Sequence, residues 1–279
     1  MKMKITVITP CFNPGKYLLP MLESVAANVG FVAKHVVMDG GSTDGTVDVL
    51  KAWAATHPWF EFVSERDGGQ ADACRKALER VETEYFFWLN ADDVMCEGAL
   101  ERLSAECGVE SGECGVRSAE RPAIVYGDYL RIDGEGKVYA RRRQPSFNFW
   151  DCLHGYITVQ NVAAIFNAPM LRAAGGFDVT RRFVMDYDII LKLAQRGAVR
   201  HVCAFCGAFR LHEASKTSTI DDVCRRETEE LRTAWGVPTG RLRRSLLHTW
   251  AKLRVASRMA CEGILLERIR ERLRGARPE

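Results

Sequence analysis

Asp92 and Asp93 stand side by side just beyond the apolar run YFFWLN (85–90). Adjacent carboxylates repel each other unless a cation or hydrogen-bond donors compensate. Hard oxygen ligands favour Mg2+ or Mn2+, and such ions commonly bind through one or two carboxylates together with substrate phosphates. A plainer role stays open: either aspartate could cap a helix starting near Glu97. Three other apolar runs end in similar polar clusters. Thr9, Pro10, Phe12 and Asn13 close the first, Asp39, Gly40 and Gly41 the second, and Glu65, Arg66, Asp67, Gly68 and Gly69 the third, while Asn90 precedes the aspartates at the fourth. An aromatic ring, an amide and a carboxylate in one crevice suit a nucleobase and ribose, because a carboxylate accepts the imide N–H of uracil or the protons of ribose hydroxyls.

For these clusters to meet, the runs that carry them have to be strands of one sheet. KITVITP (4–10), AKHVVMD (33–39), FEFVSE (60–65) and YFFWLN are short and rich in β-branched or aromatic residues, and LLPMLESVAAN, DGTVDVLKAWAAT and QADACRKALERV between them read as helices. Strands separated by single helices imply right-handed crossovers and a mainly parallel sheet covered on both faces. Asp44 is expected to N-cap the second helix. Ligands bind such a sheet outside the carboxyl ends of its strands, where the four polar clusters lie.

Residues 107–122 are rich in glycine, serine and charge and read as a surface insertion. AIVYGDYLRI (123–132) and VYARRR (138–143) form a hairpin turning at Asp133–Gly136. A strand at NVAAIFN (161–167), a GGFD turn (175–178), a helix over 186–197 and a strand around VRHVCAFCGAFRLH (199–212) follow. Helices resume near Asp221, with a break at Gly236-Val237-Pro238. The expected organisation is an α/β domain over 1–220 and a basic helical extension over 221–279.

The chain has 279 residues, 39 Lys plus Arg, 36 Asp plus Glu and 47% hydrophobic residues, which excludes disorder, collagen and a small disulfide scaffold. The net +3 divides unevenly: residues 241–279 carry eleven basic and four acidic groups, leaving an acidic body. No run approaches the roughly 18 apolar residues of a membrane span, and Met1-Lys2-Met3-Lys4 leads straight into a strand, so a cytoplasmic location is expected. Scattered cysteines, several inside apolar runs, fit free thiols in a reducing compartment. Cys203-Ala-Phe-Cys206 does not suit zinc, because residues three apart on a strand face opposite ways and there is no second CxxC. Phe86, Phe87 and Trp88 read as core.

ITPCFNPGKYL, VVMDGGSTDGT, SERDGGQADACRKAL, WLNADD, GGFD, MDYDIILKLA and FRLHEASKT occur in an order and at a spacing that resemble the family 2 glycosyltransferases across about residues 4–215. The resemblance implies a GT-A fold and transfer of a sugar from a nucleotide-sugar, usually with inversion, assisted by a divalent metal (Mn2+ or Mg2+). It implies that Thr9, Pro10, Phe12, Asn13 and Asp39 bind the nucleoside, that Arg66, Gly69 and Asp72 line the donor pocket, and that Asn90 and Asp92 serve ribose and diphosphate. Asp92, Asp93 and His212 would hold the metal. Asn90 replaces the first carboxylate of the DxD-type motif and adds no charge, and Arg75 stands where similar proteins often carry asparagine.

Inverting transfer needs a carboxylate to take the acceptor hydroxyl's proton. By resemblance that base is Asp186, preceded by Met185 where the family often has glutamate. Asp186 could equally N-cap the helix over 187–196, a role compatible with catalysis, and Asp188 reads as structural. His212, followed by Glu213, Ser215 and Lys216, suits a departing diphosphate. Gln160, Gly176 and Asp178 are expected on the acceptor side, with Gly175 and Gly176 permitting close backbone approach.

In the tail, Leu246, Trp250 and Leu253, then Leu265, Ile269 and Leu273 with interleaved arginines, make amphipathic stripes. They suit packing on the body or a homodimer, or else an anionic membrane at its inner face, where a lipid-linked acceptor would be found. The expected function is glycosyl transfer to a glycan or lipid-linked acceptor in surface polysaccharide synthesis, with no nucleic acid partner. The alternatives are nucleotidyl transfer, for which CFNPGKY lacks a glycine-rich basic cluster, and a non-catalytic nucleotide-sugar-binding or scaffold protein.

Overall fold

A computed structural model of the chain describes residues 2–108, 121–212, 221–238 and 240–273. The four apolar runs form β1 (Ile5–Cys11), β2 (Val32–Asp39), β3 (Phe60–Ser64) and β4 (Tyr85–Trp88), connected by α1 (Leu18–Ala26), α2 (Thr46–Thr56) and α3 (Gln70–Glu79). They lie parallel in the order β3-β2-β1-β4, so the chain reverses its direction of travel between β1 and β4. Every residue of β1 is buried, as a central parallel strand requires.

The second half is mixed. β5 (Val94–Met95), α4 (Ala99–Ala105), β6 (Ile124–Ile132), β7 (Val138–Arg142), α5 (Phe149–Leu153), β8 (Ala164–Asn167), α6 (Ala168–Ala173), α7 (Met185–Ala194) and β9 (Val199–Arg210) follow in chain order. The sheet continues β4-β8-β6-β9-β5, with β7 beside β6. β8 runs antiparallel to β4 and β6, β9 runs parallel to β6, and β5 pairs antiparallel with β9. The parallel character expected of the sheet thus belongs chiefly to its first four strands.

Alternation sends neighbouring side chains to opposite faces. Ile8, Val36, Phe86, Trp88 and Phe166 pack under α3, α6 and α7, whereas Ile5, Val7, Val37 and Phe87 pack under α1, α2 and α4. Truncating a ring as buried as Phe86 or Phe87 costs about 3–5 kcal/mol.

Several local expectations need correction. Gly45, with φ 91°, is the N-cap of α2, and Asp44 sits one residue earlier, accepting the Thr46 N–H and hydroxyl. The helix beyond the aspartates starts at Ala99 behind Gly98, with β5 in between, so neither Asp92 nor Asp93 caps it. Asp186 is not an N-cap: Val184 holds that place and α7 begins at Met185. The hairpin turns at Asp133–Gly136 as expected, closed by the Asp133 N–H on the Lys137 carbonyl at 3.1 Å. Residues 109–120 of the insertion, Glu213, Ser215, Lys216 and Arg274 lie outside the described residues.

The extension comprises α8 (Asp221–Ala234), α9 (Arg241–Cys261) and α10 (Leu265–Leu273). Leu231 of α8 belongs to the core layer that also buries Tyr187, and Trp235 packs against it. From α9, Arg254 and Arg258 pair with the buried Asp151, and Glu262 receives the Ser146 hydroxyl at 2.6 Å. From α10, Glu271 pairs with Arg142. The apolar face that α9 turns inward is Ala251, Val255 and Met259; Leu246, Trp250 and Leu253 point outward, 64%, 56% and 58% exposed. Packing therefore uses a different stripe from the one expected. Among the described residues no helix is long and apolar enough to cross a membrane.

Candidate active site

The loops at the carboxyl ends of β1, β2 and β3 are stitched to one another. Asn13, the described non-glycine residue with positive φ (47°), donates its N–H to Ser42 Oγ at 2.7 Å and accepts the Thr43 N–H at 2.8 Å. Gly15 donates its N–H to Asp44 at 2.9 Å. Asp39 is buried, and its carboxylate accepts the N–H groups of Gly41 and Ser42 and the hydroxyls of Ser42 and Ser64. These contacts fix Asp39 at the mouth. Arg66 and Asp67 from the β3–α3 loop lie over the glycines: a Cβ on Gly41 would sit 3.4 Å from Arg66 Cγ, and one on Gly40 would sit 3.1 Å from Asp67. Phe12, 66% exposed, stands free at the rim.

Three expected nucleoside and donor residues are turned inward or tied down by the protein itself. The Thr9 hydroxyl faces the interior, 2.9 Å from His35 Nε2, so only its backbone reaches the strand end. Pro10 is buried within β1. Asp72 is tied down by the Gly68 N–H at 3.1 Å and by Arg75 at 2.9 Å, which hold its carboxyl below the usual range. Arg75 is thereby accounted for, since it bridges Asp72 and Glu79. Gly69, with φ 107°, is the N-cap of α3.

The aspartates past β4 split in direction. Asp93 turns inward: Oδ1 accepts the Arg210 N–H at 2.8 Å and Oδ2 accepts the Asn90 amide at 3.2 Å. Burial, and then the charge of Asp92, raise its pKa well above the carboxylate range. Asn90 also accepts from Trp88 Nε1 at 3.0 Å and from Gln70 at 2.8 Å. Asp92 turns outward, its side chain 35% exposed, with Oδ2 3.1 Å from His212 Nε2. Tyr17 closes this pair with its ring 4.6 Å from the His212 ring, and Arg210 donates Nε–H to the Asp92 carbonyl at 2.7 Å. Asp93 thus stands apart from the expected metal set.

Among the described residues no three His, Cys, Asp or Glu side chains gather as a metal cage. A carboxylate oxygen and an imidazole nitrogen side by side, with one of them open to solvent, nevertheless fit an ion that takes its remaining ligands from diphosphate and water.

Asp186 lies in the first turn of α7. Burial raises its pKa, while the Tyr187 N–H, 2.7 Å from Oδ1, opposes the rise. The start of this helix is capped from the extension. Glu227 of α8, 5% exposed, accepts the backbone N–H groups of Arg182, Phe183 and Val184 at 3.0, 2.9 and 3.4 Å. One carboxylate thus satisfies three consecutive backbone donors in the segment that enters α7, the last of them the helix's N-cap residue Val184, and its charge complements the helix dipole. On the expected acceptor side, Gly175 and Gly176 adopt φ 93° and 67° and Phe177 anchors the turn edge-on to Trp88 at 5.4 Å. Lys192 bridges the Gly176 carbonyl (3.1 Å) and Asp188 (2.5 Å), tying the turn to α7. Burial pushes Asp178 up, but hydrogen bonds from Thr180 outweigh it and hold the carboxyl low. Gln160 is half-buried and precedes the short turn leading into β8.

Tyr17, Gln70, Arg210 and Glu227 were not among the expected site residues. An arginine within the apolar strand ending two residues before His212 was a usable signal, and Tyr17 and Gln70 lie inside the ITPCFNPGKYL and SERDGGQADACRKAL motifs without having been assigned a role; Glu227 had no signal in the sequence.

A twisted sheet with its polar strand ends at a topological switch point, and an outward carboxylate facing an imidazole there, define an α/β protein of the GT-A class. Residues 6–161 match the family described as Glycosyl transferase family 2, and the chain belongs to that family. It is 24% identical over 208 residues to a chondroitin synthase of Escherichia coli, covering 75% of this chain and 29% of that protein. It is 23% identical over 211 residues to a hyaluronan synthase of Pasteurella multocida, covering 75% of this chain and 20% of that one. The chain therefore spans less than a third of the length of these relatives. Among solved structures it resembles TarS 1–349 of S. aureus in complex with UDP-GlcNAc (TM-score 0.64, 15% identity, 88% of this chain and 70% of that one). It also resembles the mannosyltransferase PcManGT of Pyrobaculum calidifontis in complex with GDP-Man and Mn2+ (TM-score 0.61, 17% identity, 97% and 74%). Identities this low speak for a shared fold.

Proposed function

We propose that the chain is an inverting glycosyltransferase, moving a sugar from a UDP- or dTDP-linked donor to a hydroxyl of a glycan or lipid-linked acceptor in surface polysaccharide synthesis. The observation that carries this reading is the contact of Asp92 with His212 beside the loops of β1 and β2. Relatives that make chondroitin and hyaluronan support the polysaccharide context.

In this reading Phe12, Asn13 and Asp39 receive the nucleoside, with Arg66 beside the donor. Asp92 and His212 hold Mn2+ or Mg2+, which when bound neutralises charge on the leaving diphosphate. Asp186 accepts the acceptor hydroxyl's proton while the oxygen attacks the anomeric carbon from the face opposite the diphosphate, and burial makes it a stronger base than an exposed carboxylate. Gln160, Gly176 and Asp178 flank the acceptor. Residues 1–220 form the catalytic unit and 221–279 an extension that braces it through Glu227. The enzyme works in the cytoplasm, and the outward Leu246, Trp250 and Leu253 offer a face for a second copy of the chain or for an anionic bilayer at the inner side of the membrane.

The test is a thermal-shift screen of nucleotide-sugars with Mn2+ and with EDTA, followed by product analysis at the anomeric centre. A UDP- or dTDP-sugar should raise Tm more with Mn2+ than with EDTA, and the product should have the opposite anomeric configuration to the donor. Stabilisation by no nucleotide under either condition would overturn the enzymatic reading.

A further inference from the structure

Away from this site, β9 carries a second group of reactive side chains. Its register against β6 breaks in the middle: Gly127 pairs with Val202, but Asp128 pairs with Phe205, so Cys203 and Ala204 bulge out of the ladder. Bulges re-aim side chains. Gly127 makes this one possible, because a Cβ there would lie 2.6 Å from both the Ala204 carbonyl oxygen and Cys206 Sγ. Cys206 is buried, whereas Cys203 is exposed.

His201 stands two residues before Cys203, and its two ring nitrogens face different partners. Nε2 lies 2.9 Å from Oδ1 of Asp128, a residue 2% exposed, and Nδ1 lies 4.0 Å from Cys203 Sγ. Asp128 is itself fixed by the Gln144 N–H at 2.8 Å, and the Tyr126 ring packs on the imidazole at 4.9 Å. A buried carboxylate on Nε2 keeps the proton there and leaves the Nδ1 lone pair toward the sulfur. A nucleophile, a base and a carboxylate that orients the base recur wherever a side chain is activated for attack, and the nucleophile contact is often loose in a free protein. Cys224 and Cys261 are also exposed, but no histidine contact to either sulfur is found among the described residues.

We propose that Cys203 is an activated thiol, with His201 as its base and Asp128 orienting that base, and that it exchanges with low-molecular-weight disulfides. The Cys203 S–H proton passes to His201 Nδ1, and the sulfur's electron pair attacks one sulfur of the disulfide. The S–S bond breaks, a new one forms to Cys203, and the departing thiolate takes the proton from His201. The protein thiol is oxidised, the small disulfide is reduced to one bound half and one free thiol, and no other reactant is needed. This assignment is independent of glycosyl transfer.

The test is incubation of the full chain with glutathione disulfide, followed by peptide mass spectrometry over time. Cys203 should acquire the adduct at least tenfold faster than Cys224 and Cys261, which serve as references in the same molecule. His201→Gln should bring Cys203 down to their rate with the melting curve unchanged. Equal rates at the three cysteines of the unaltered chain, a measurement that needs no variant, would overturn the proposal. So would an undiminished rate at Cys203 in a folded His201→Gln protein.

Discussion

Oδ2 of Asp92 and Nε2 of His212 lie 3.1 Å apart although 120 residues of chain separate them. Asp92 follows β4, His212 follows β9, and Tyr17, from the loop after β1, closes over the imidazole. Three distant stretches thus set one contact, with Arg210 holding the Asp92 carbonyl from behind.

If that pair holds the ion, His212→Ala should weaken Mn2+-dependent binding of UDP by at least about tenfold, the low end of the loss seen when a residue that merely supports a metal ligand is removed, leaving the metal-free affinity little changed. Titration calorimetry with and without EDTA measures both. An equal loss in both arms would take His212 out of the metal site.

Asp186→Asn should lower kcat by roughly 10²–10⁴-fold, the usual worth of a positioned base, with donor binding retained. Donor affinity by calorimetry and turnover by product formation separate these effects. A variant that keeps its kcat rules Asp186 out as the base.

Burial raises the pKa of Asp186, and this has opposite consequences for rate and stability. Only the carboxylate accepts a proton, so transfer should rise with pH through a value above the ordinary range of about 3.9. The folded state binds this proton more tightly than the unfolded state does. The contribution of Asp186 to stability is therefore complete below the unfolded pKa and lost as pH climbs through the folded one. The Tm of Asp186→Asn relative to the parent should accordingly become more positive between acid and neutral pH; a constant difference would speak against the raised pKa.

Glu227→Ala should leave the backbone N–H groups of residues 182–184 short of a partner, costing about 1–3 kcal/mol, and should loosen the start of α7 beside Asp186. Kinetics on this variant should show kcat falling more than the KM for donor changes. Glu227→Gln keeps an acceptor oxygen and should recover part of the loss. A uniform rise in KM instead would place the effect of Glu227 at the donor.

Gly207→Ala should destabilise by at least the 1–3 kcal/mol typical of overpacking, because a Cβ there would overlap the Val162 carbonyl. Gly30→Ala, with nothing within 4 Å of its Cβ, is the matched control. Chemical denaturation of the two variants reads the difference, and equal midpoints would contradict the close approach of β9 to residue 162.

The first four strands were legible because each βα unit is written in consecutive residues, apolar run and helix by turns. The inward turn of Thr9 went against the nucleoside role implied by the resemblance, although strand alternation carries it: Thr9 shares the face of Ile5, Val7 and Cys11, all in the layer under α1. The split between Asp92 and Asp93 was not, since the direction of side chains in a turn depends on the partners that meet them, here Arg210 and His212 from far along the chain. The cap supplied by Glu227 was hidden for the same reason. Its sequence context is that of any charged helix, and only the docking of α8 by Leu231 sets which carboxylate reaches α7. The α9 stripe misled because hydrophobic spacing marks an amphipathic helix without telling which face is covered.

β5 finds its place in the sheet against β9, where Met95 pairs with Gly207. On the ribosome the four parallel strands can therefore dock early, each beside strands already made, while the loop holding Asp92 waits for a strand not yet synthesised. Its partner His212 emerges later still. A ligand held by Asp92 and His212 together could then stabilise only the completed fold and would offer no help to the nascent chain, whose waiting edge has to be kept from wrong pairings by other means.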